Sequence, residues 1–87
     1  MNEGIAVTGG AGFIGSALVR GILAQGAPKV TVIDNLLTGH EKNLTEIASQ
    51  VDLRKVDIRD YDALARALEG ARTVFHLISA RVIGGVT

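Results

Sequence analysis

The stretch that most constrains this chain is Thr8-Gly9-Gly10-Ala11-Gly12-Phe13-Ile14-Gly15. A short apolar run, Ile5-Ala6-Val7, precedes it. Apolar residues at helical spacing follow: Ile14, Leu18 and Ile22, with Val19 and Leu23 beside them. A glycine turn between a strand and a helix is the context in which such a turn becomes a phosphate site. The backbone must bend sharply there and let a ligand come close, and glycine allows both because it has no Cβ. A helix opening near Gly12 leaves its first N–H groups unpaired. Those donors, with the positive end of the helix dipole, suit a pyrophosphate. Two spacings fit at once: Gly10, Gly12 and Gly15 make G-x-G-x-x-G, while Gly9, Gly12 and Gly15 make G-x-x-G-x-x-G. Taken alone, the motif leaves a phosphate cradle and an ordinary turn both open.

Size and composition narrow the field. Eighty-seven residues, 47% of them apolar, suffice for one small folded domain. Nine basic and nine acidic residues cancel, and the basic ones are scattered. No basic patch is offered to nucleic acid or to a membrane surface. The absence of cysteine removes disulfides and thiolate chemistry. Met1-Asn2-Glu3 does not start a signal peptide, and no apolar run approaches the roughly 20 residues that span a bilayer. The expectation is a soluble, cytoplasmic chain.

Along the chain, strands and helices are predicted to alternate. Residues 3–7 read as strand one and 12–25 as helix one. Gly21 lies inside that helix, where close packing on a sheet would justify a glycine. Gly26 is placed for a left-handed C-terminal cap, and Pro28 prevents continuation. The β-branched run 30–33 is strand two, ended by Asp34. Thr38-Gly39-His40-Glu41 has the form of a capping box and would open helix two over residues 39–49, with Leu44, Ile47 and Ala48 on one side. Residues 51–56 form strand three. Asp60 would cap helix three, with Asp62 favourable to its dipole, an inner stripe of Tyr61, Leu64, Ala67 and Leu68, and Gly70 at its end. Strand four is expected over 73–78. The tail from Ala80 carries Gly84-Gly85 and shows no periodicity.

The resulting β-α-β-α-β-α-β order belongs to the α/β class, a parallel sheet with right-handed crossovers, and for a doubly wound nucleotide-binding unit the strand order is expected to be 3-2-1-4. Helices one and two would cover one face and helix three the other. Strand four would then be an edge, with one face only partly covered, although parallel sheets normally bury both.

Asp34 stands 19 positions after Gly15, where a carboxylate at the end of strand two can accept from ribose hydroxyls. It would also repel a 2′-phosphate, and no arginine lies between it and Lys42, so NAD is favoured over NADP. Asp57 ends strand three on the same carboxyl edge. It is open to two readings, an exposed turn aspartate or an acceptor for the adenine amino group with Ile58 against the ring. Leu77, Ile78 and Ser79 reach the corresponding edge on strand four. His76, inside an apolar strand, reads as a buried, hydrogen-bonded structural histidine with no nucleophile or carboxylate partner nearby in sequence, and His40 as exposed. Ser16 and Ser79 lie outside any G-x-S-x-G elbow. The two histidines and the carboxylates do not have metal-site spacing.

The run from Val7 to Ser16 resembles the N-terminal motif of extended short-chain dehydrogenases/reductases, in the branch of NAD-dependent sugar-nucleotide epimerases and dehydratases. Asp34-Asn35-Leu36-Leu37-Thr38-Gly39, Asp57-Ile58-Arg59-Asp60 and Val74-Phe75-His76-Leu77 match the same pattern in order, and UDP-glucose 4-epimerase-like members are the most similar subgroup. The resemblance implies a Rossmann-like half domain. Gly9, Gly12 and Gly15, with the amides around Phe13 and Ile14, would meet the pyrophosphate. Asp34 would hold the adenosine ribose, with Asn35, Leu36, Thr38 and Gly39 along that half of the cofactor. Asp57 and Ile58 would frame the adenine. Leu77, Ile78, Ser79 and Ala80 would line the path to the nicotinamide ribose, with Ile78-Ser79 where such proteins usually carry two small residues.

The same resemblance implies a catalytic Ser or Thr and a Tyr-x-x-x-Lys pair farther along, plus a substrate domain. Here Tyr61 is the only tyrosine, followed four residues later by Ala65. The expectation for residues 1–87 is a partial dinucleotide-binding domain that takes NAD or an adenine nucleotide and does not catalyse alone. The alternative is a truncated or designed fold with a vestigial nucleotide site. In either case the open strand-four edge would favour a homodimer.

Overall fold

In the computed structural model, which describes residues 4–36 and 39–77, seven elements alternate around one parallel sheet. They are β1 (Ile5–Thr8), α1 (Phe13–Ala24), β2 (Val30–Asp34), a 3₁₀ segment (Glu41–Gln50), β3 (Val51–Lys55), α2 (Tyr61–Ala67) and β4 (Thr73–His76). The strand order is β3-β2-β1-β4 with every pair parallel, the order of a doubly wound nucleotide-binding unit.

The period of two in each strand sorts side chains between two cores. Val7, Val30 and Val32 are fully buried on one face under Val19 of α1 and Leu44 of the 3₁₀ segment. Ala6 and Ile33 face the other way, against Ala67, Leu64 and Leu68 of α2. Removing each of the larger aliphatic side chains from water contributes about 1.5–3 kcal/mol, so β1 and β2 carry the centre of the fold. Asp34 continues the alternation of Val30 and Val32, which puts its carboxylate on the α1 face.

The edges are less covered. On the α2 face, β3 presents Asp52 and Arg54, paired at 2.8 Å. On β4, Val74 is in register with Ala6 and Phe75 with Val7, yet they remain 43% and 38% exposed.

Helix ends follow local chemistry. Gly26 takes φ +111°, and the Ala27 N–H reaches back to Ile22 O at 3.4 Å, closing α1 as a left-handed cap does. Asp60 caps α2 by accepting from the Ala63 N–H at 3.2 Å.

Four expectations need correction. Residues 41–50 form 3₁₀ turns that start after His40 with no side-chain cap, and Ile47 breaks them with φ −116°. Asn43, Thr45 and Ser49 are weak helix formers. With three residues per turn, Leu44 and Ile47 share the inner side, which leaves Ala48 exposed. Gly21 is exposed and a Cβ there would meet nothing within 4 Å, so helix packing does not require the glycine. Tyr61 is 80% exposed, and of the expected stripe only Leu64, Ala67 and Leu68 pack against the sheet. His76 is exposed on the edge strand rather than buried. Its hydrogen-bonded role holds, with Nδ1 at 2.7 Å from the Thr8 hydroxyl. The proposed cap Thr38, the strand-four extension to Ile78 and the tail lie outside the described residues.

Candidate functional site

The carboxyl ends of β1, β2 and β3 converge on the glycine turn. The sheet ladder runs one residue past β1: the Gly9 N–H donates to Ile33 O at 2.7 Å. Gly9 then turns with φ +74°, and a Cβ on it would come within 2.6 Å of Leu77 O, so the end of β4 lies directly against the turn. Gly15 has the strictest requirement. A Cβ there would collide with the Gly9 carbonyl oxygen and lie 2.9 Å from Gly10 Cα. Only glycine lets the first turn of α1 sit this closely on the loop.

Gly12 is different in kind. Its φ of −76° suits any residue, and a Cβ would meet nothing nearer than Gly9 O at 3.5 Å. Neither backbone conformation nor packing by the described residues calls for a glycine there, and none of them fills the space in front of it. The Gly12 N–H closes the turn onto Gly9 O at 3.2 Å, and Ser16 is the first residue of α1 to bond backward, to Gly12 O at 2.8 Å. No described residue accepts from the N–H groups of Phe13, Ile14 and Gly15, no side chain caps the helix, and its first turn holds no acidic residue. The Phe13 and Ile14 side chains are 89% and 73% exposed. Three donors without an acceptor among the described residues, at the positive end of a 12-residue helix, make a candidate seat for an anion.

Asp34 closes one side of this seat. Its Oδ2 accepts the Ala11 N–H at 3.0 Å and its Oδ1 accepts the Leu36 N–H at 2.7 Å. The second bond holds Leu36 at φ +64°, a conformation uncommon for a residue with a Cβ. Each carboxylate oxygen has a second lone pair, which leaves capacity for a ligand hydroxyl. Asn35 is exposed beside it. Gly39 is buried against the same spot: a Cβ on it would lie 2.8 Å from Ala11 C and 2.9 Å from Asp34 Oδ2.

Asp57 and Ile58 stand one step farther along the edge, since the Val56 N–H donates to Asp34 O at 3.2 Å. The Asp57 carboxylate is engaged by Arg59, through Nε at 3.0 Å, Nη2 at 2.6 Å and the backbone N–H at 2.9 Å. The Arg59 guanidinium, followed by its N–H, holds the Asp57 carboxyl at about 2. Ile58 is half-buried beside it. Thus Gly9, Gly12, Phe13, Ile14, Gly15, Asp34, Asn35, Leu36, Gly39, Asp57, Ile58 and Leu77 share one end of the sheet. Thr38, Ile78, Ser79 and Ala80 lie outside the described residues.

Sequence reasoning missed Ala11 and Asn43. Ala11 is fully buried, and its carbonyl accepts from Asn43 Nδ2 at 2.8 Å and from the His40 N–H at 3.0 Å. The partners lie 32 positions apart, and nothing in the local pattern around Asn43 announces the contact. Among the described residues no group of three metal-ligating side chains occurs, and no helix is long and apolar enough to cross a membrane.

Comparison with known proteins gives a consistent picture. Residues 5–87 match the sequence model of the NAD dependent epimerase/dehydratase family. A UDP-N-acetyl-alpha-D-glucosaminuronate decarboxylase of Bacillus cytotoxicus is 33% identical over 84 residues, which are 97% of this chain and 25% of that protein. The structure of a Thermus thermophilus UDP-glucose 4-epimerase in complex with NAD superposes with a TM-score of 0.74 at 41% identity, covering 87% of this chain and 24% of that one. The Bordetella bronchiseptica enzyme WbmF in complex with NAD+ and UDP gives a TM-score of 0.75 at 38% identity, over 87% and 23% of the two chains. The chain therefore spans about a quarter of the length of these relatives.

Proposed function

The chain belongs to the NAD dependent epimerase/dehydratase family, and on that premise we propose that it binds NAD as the first part of a sugar-nucleotide-modifying enzyme. One observation carries the reading. Gly12 is a glycine that packing by the described residues does not require, placed before three helix amides without an acceptor among those residues, which an anion would satisfy. The chemistry of the donor set fits the dinucleotide. The amides of Phe13, Ile14 and Gly15 would take the pyrophosphate, and Asp34 a ribose hydroxyl. Asp57 and Ile58 would border the adenine, and Leu77 with residues 78–80 would flank the path toward the nicotinamide. Asp34 favours NAD over NADP, because a 2′-phosphate would meet its carboxylate.

When bound, NAD supplies a reversible hydride acceptor. The chain's own contribution is to grip and orient the dinucleotide along the sheet edge. The NAD and UDP named with the relatives support a nucleotide-linked sugar as the parent substrate class. Turnover by these 87 residues alone is not expected. Tyr61 is exposed on α2 and is followed by Ala65 rather than lysine four positions on.

The test is a calorimetric or NMR titration of the 87-residue chain with NAD and NADP. NAD is expected to bind at millimolar concentration or tighter, and more tightly than NADP. Silence toward NAD and ADP at millimolar concentration overturns the reading.

A second reading is favoured by β4. Val74 and Phe75 are partly exposed on opposite faces of an edge strand, an arrangement that favours pairing with a second copy. Light scattering that reports only monomer at high concentration would remove it.

A further inference from the structure

We propose that Asn43 is a positioning residue for the nucleotide site, holding the Ala11–Gly12 peptide from behind so that the first amides of α1 stay aimed at a pyrophosphate. The inference rests on the NAD reading of this end of the sheet.

Every polar group of Ala11 is directed into the protein. Its N–H donates to Asp34 Oδ2 at 3.0 Å. Its carbonyl takes two donors, Asn43 Nδ2 at 2.8 Å and the His40 N–H at 3.0 Å, which fills both lone pairs. Because the peptide unit is planar and trans, fixing the Ala11 carbonyl fixes the direction of the Gly12 N–H. That N–H points the opposite way, back to Gly9 O at 3.2 Å. The next three amides are the unpaired donors of the seat. They follow directly on a peptide whose carbonyl has, among the described residues, Asn43 as its only side-chain donor.

Asn43 is itself held on two sides. The Arg20 guanidinium, from the body of α1, donates to the Asn43 carbonyl and also reaches Glu46 at 3.4 Å. The Asn43 N–H donates to His40 O at 2.9 Å. Helix, turn and 3₁₀ segment thus form one hydrogen-bonded frame: Arg20 to Asn43, Asn43 to Ala11, Ala11 to Asp34. Gly39 lets this frame close, because a Cβ there would press within 2.8 Å of Ala11 C. A seat whose donors are already oriented loses less entropy on binding than one that must order them, so the frame acts on affinity as well as on stability.

The experiment titrates ADP into the wild-type chain and into Asn43→Ala, Asn43→Asp and the remote control Glu69→Ala, at a temperature where circular dichroism shows each to be folded. Losing one oriented hydrogen bond is expected to weaken ADP binding about fivefold in Asn43→Ala. The loss should be greater in Asn43→Asp, whose carboxylate opposes the Ala11 carbonyl, with no change in Glu69→Ala. A lowered melting temperature with unchanged ADP affinity would make Asn43 structural only and overturn the proposal. No binding by the wild-type chain would instead overturn the NAD reading, and this inference with it. Should both Asn43 variants fail to fold, the wild-type chain decides by NMR. The Asn43 side-chain amide protons are expected to exchange slowly and to shift on ADP saturation, and fast exchange unaffected by ADP would contradict the assignment.

Discussion

Asp34 accepts the Ala11 N–H at 3.0 Å, tying the end of β2 to the middle of the glycine turn. The acid proposed to hold a ribose hydroxyl is thus also part of the loop's own scaffold. Its position follows from strand alternation: two residues beyond Val32, it falls on the face where α1 and the turn lie.

Replacing Asp34 should therefore have two consequences. Asp34→Ala leaves the buried Ala11 N–H without a partner, which destabilises the fold by about 1–3 kcal/mol. It should also weaken NAD binding well beyond the exposed control Glu69→Ala. Denaturant unfolding and calorimetry read the two effects separately, and equal NAD affinities for the two variants would remove Asp34 from the site.

Thr8 and His76 join β1 to the open edge. The buried Thr8 hydroxyl oxygen accepts the Leu77 N–H at 3.0 Å and pairs with His76 Nδ1 at 2.7 Å. Thr8→Val keeps the shape and deletes both bonds, for an expected loss of about 1–2 kcal/mol. The Leu77 N–H retains its bond to Thr8 O at 3.2 Å, so the strand stays paired. An unchanged denaturation midpoint would mean that water replaces the hydroxyl without loss.

Gly21 offers the opposite case. It is an exposed helix-interior glycine whose Cβ would meet nothing. Gly21→Ala should raise stability by up to about 1 kcal/mol through helix propensity alone. A lower melting temperature would show that this face of α1 is covered in solution.

Asp57 predicts a pH dependence. Arg59 lowers its pKa from 3.8 to about 2. For a depressed carboxylate the contribution to stability is present above the unfolded value and is lost as pH falls through the folded one. The pair is partly exposed, so the effect is small. The Asp57 carboxyl carbon should titrate near 2 in the wild-type chain, by NMR, and near 3.8 in Arg59→Ala. Coincident midpoints would show that the pair does not persist in solution.

Much of this architecture was legible from the residues. The glycine turn between Val7 and Ile14, the β-branched run at 30–33, Asp60 as a cap and Gly26 as a stop each carry a local conformational reason. Their alternation gives a parallel sheet, and its order follows once the unit is read as a doubly wound nucleotide-binding one. What escaped prediction depends on contacts distant in sequence or on geometry that the pattern leaves open. Leu44 and Ile47 fit an α-helix or a 3₁₀ helix equally well as residues three apart. Asn43 looks like an ordinary polar helix residue until the fold sets it against Ala11. His76 looks buried because its neighbours are apolar, yet it lies on a strand with no partner on its outer side among the described residues. For the site, Gly15 and Gly12 were indistinguishable as letters. Packing separates them: a Cβ at Gly15 would collide with the Gly9 carbonyl, whereas one at Gly12 would meet no described residue nearer than 3.5 Å.

That distinction provides the most direct measurement. Gly12→Ala adds a Cβ into open space at an ordinary φ, whereas Gly15→Ala forces one into the Gly9 carbonyl. NAD titration and thermal unfolding should be run on both variants beside the wild-type chain. Gly12→Ala is expected to melt within a few degrees of wild type yet lose NAD binding, while Gly15→Ala is expected to lose its cooperative fold. Wild-type affinity for NAD in a folded Gly12→Ala chain would contradict the NAD reading.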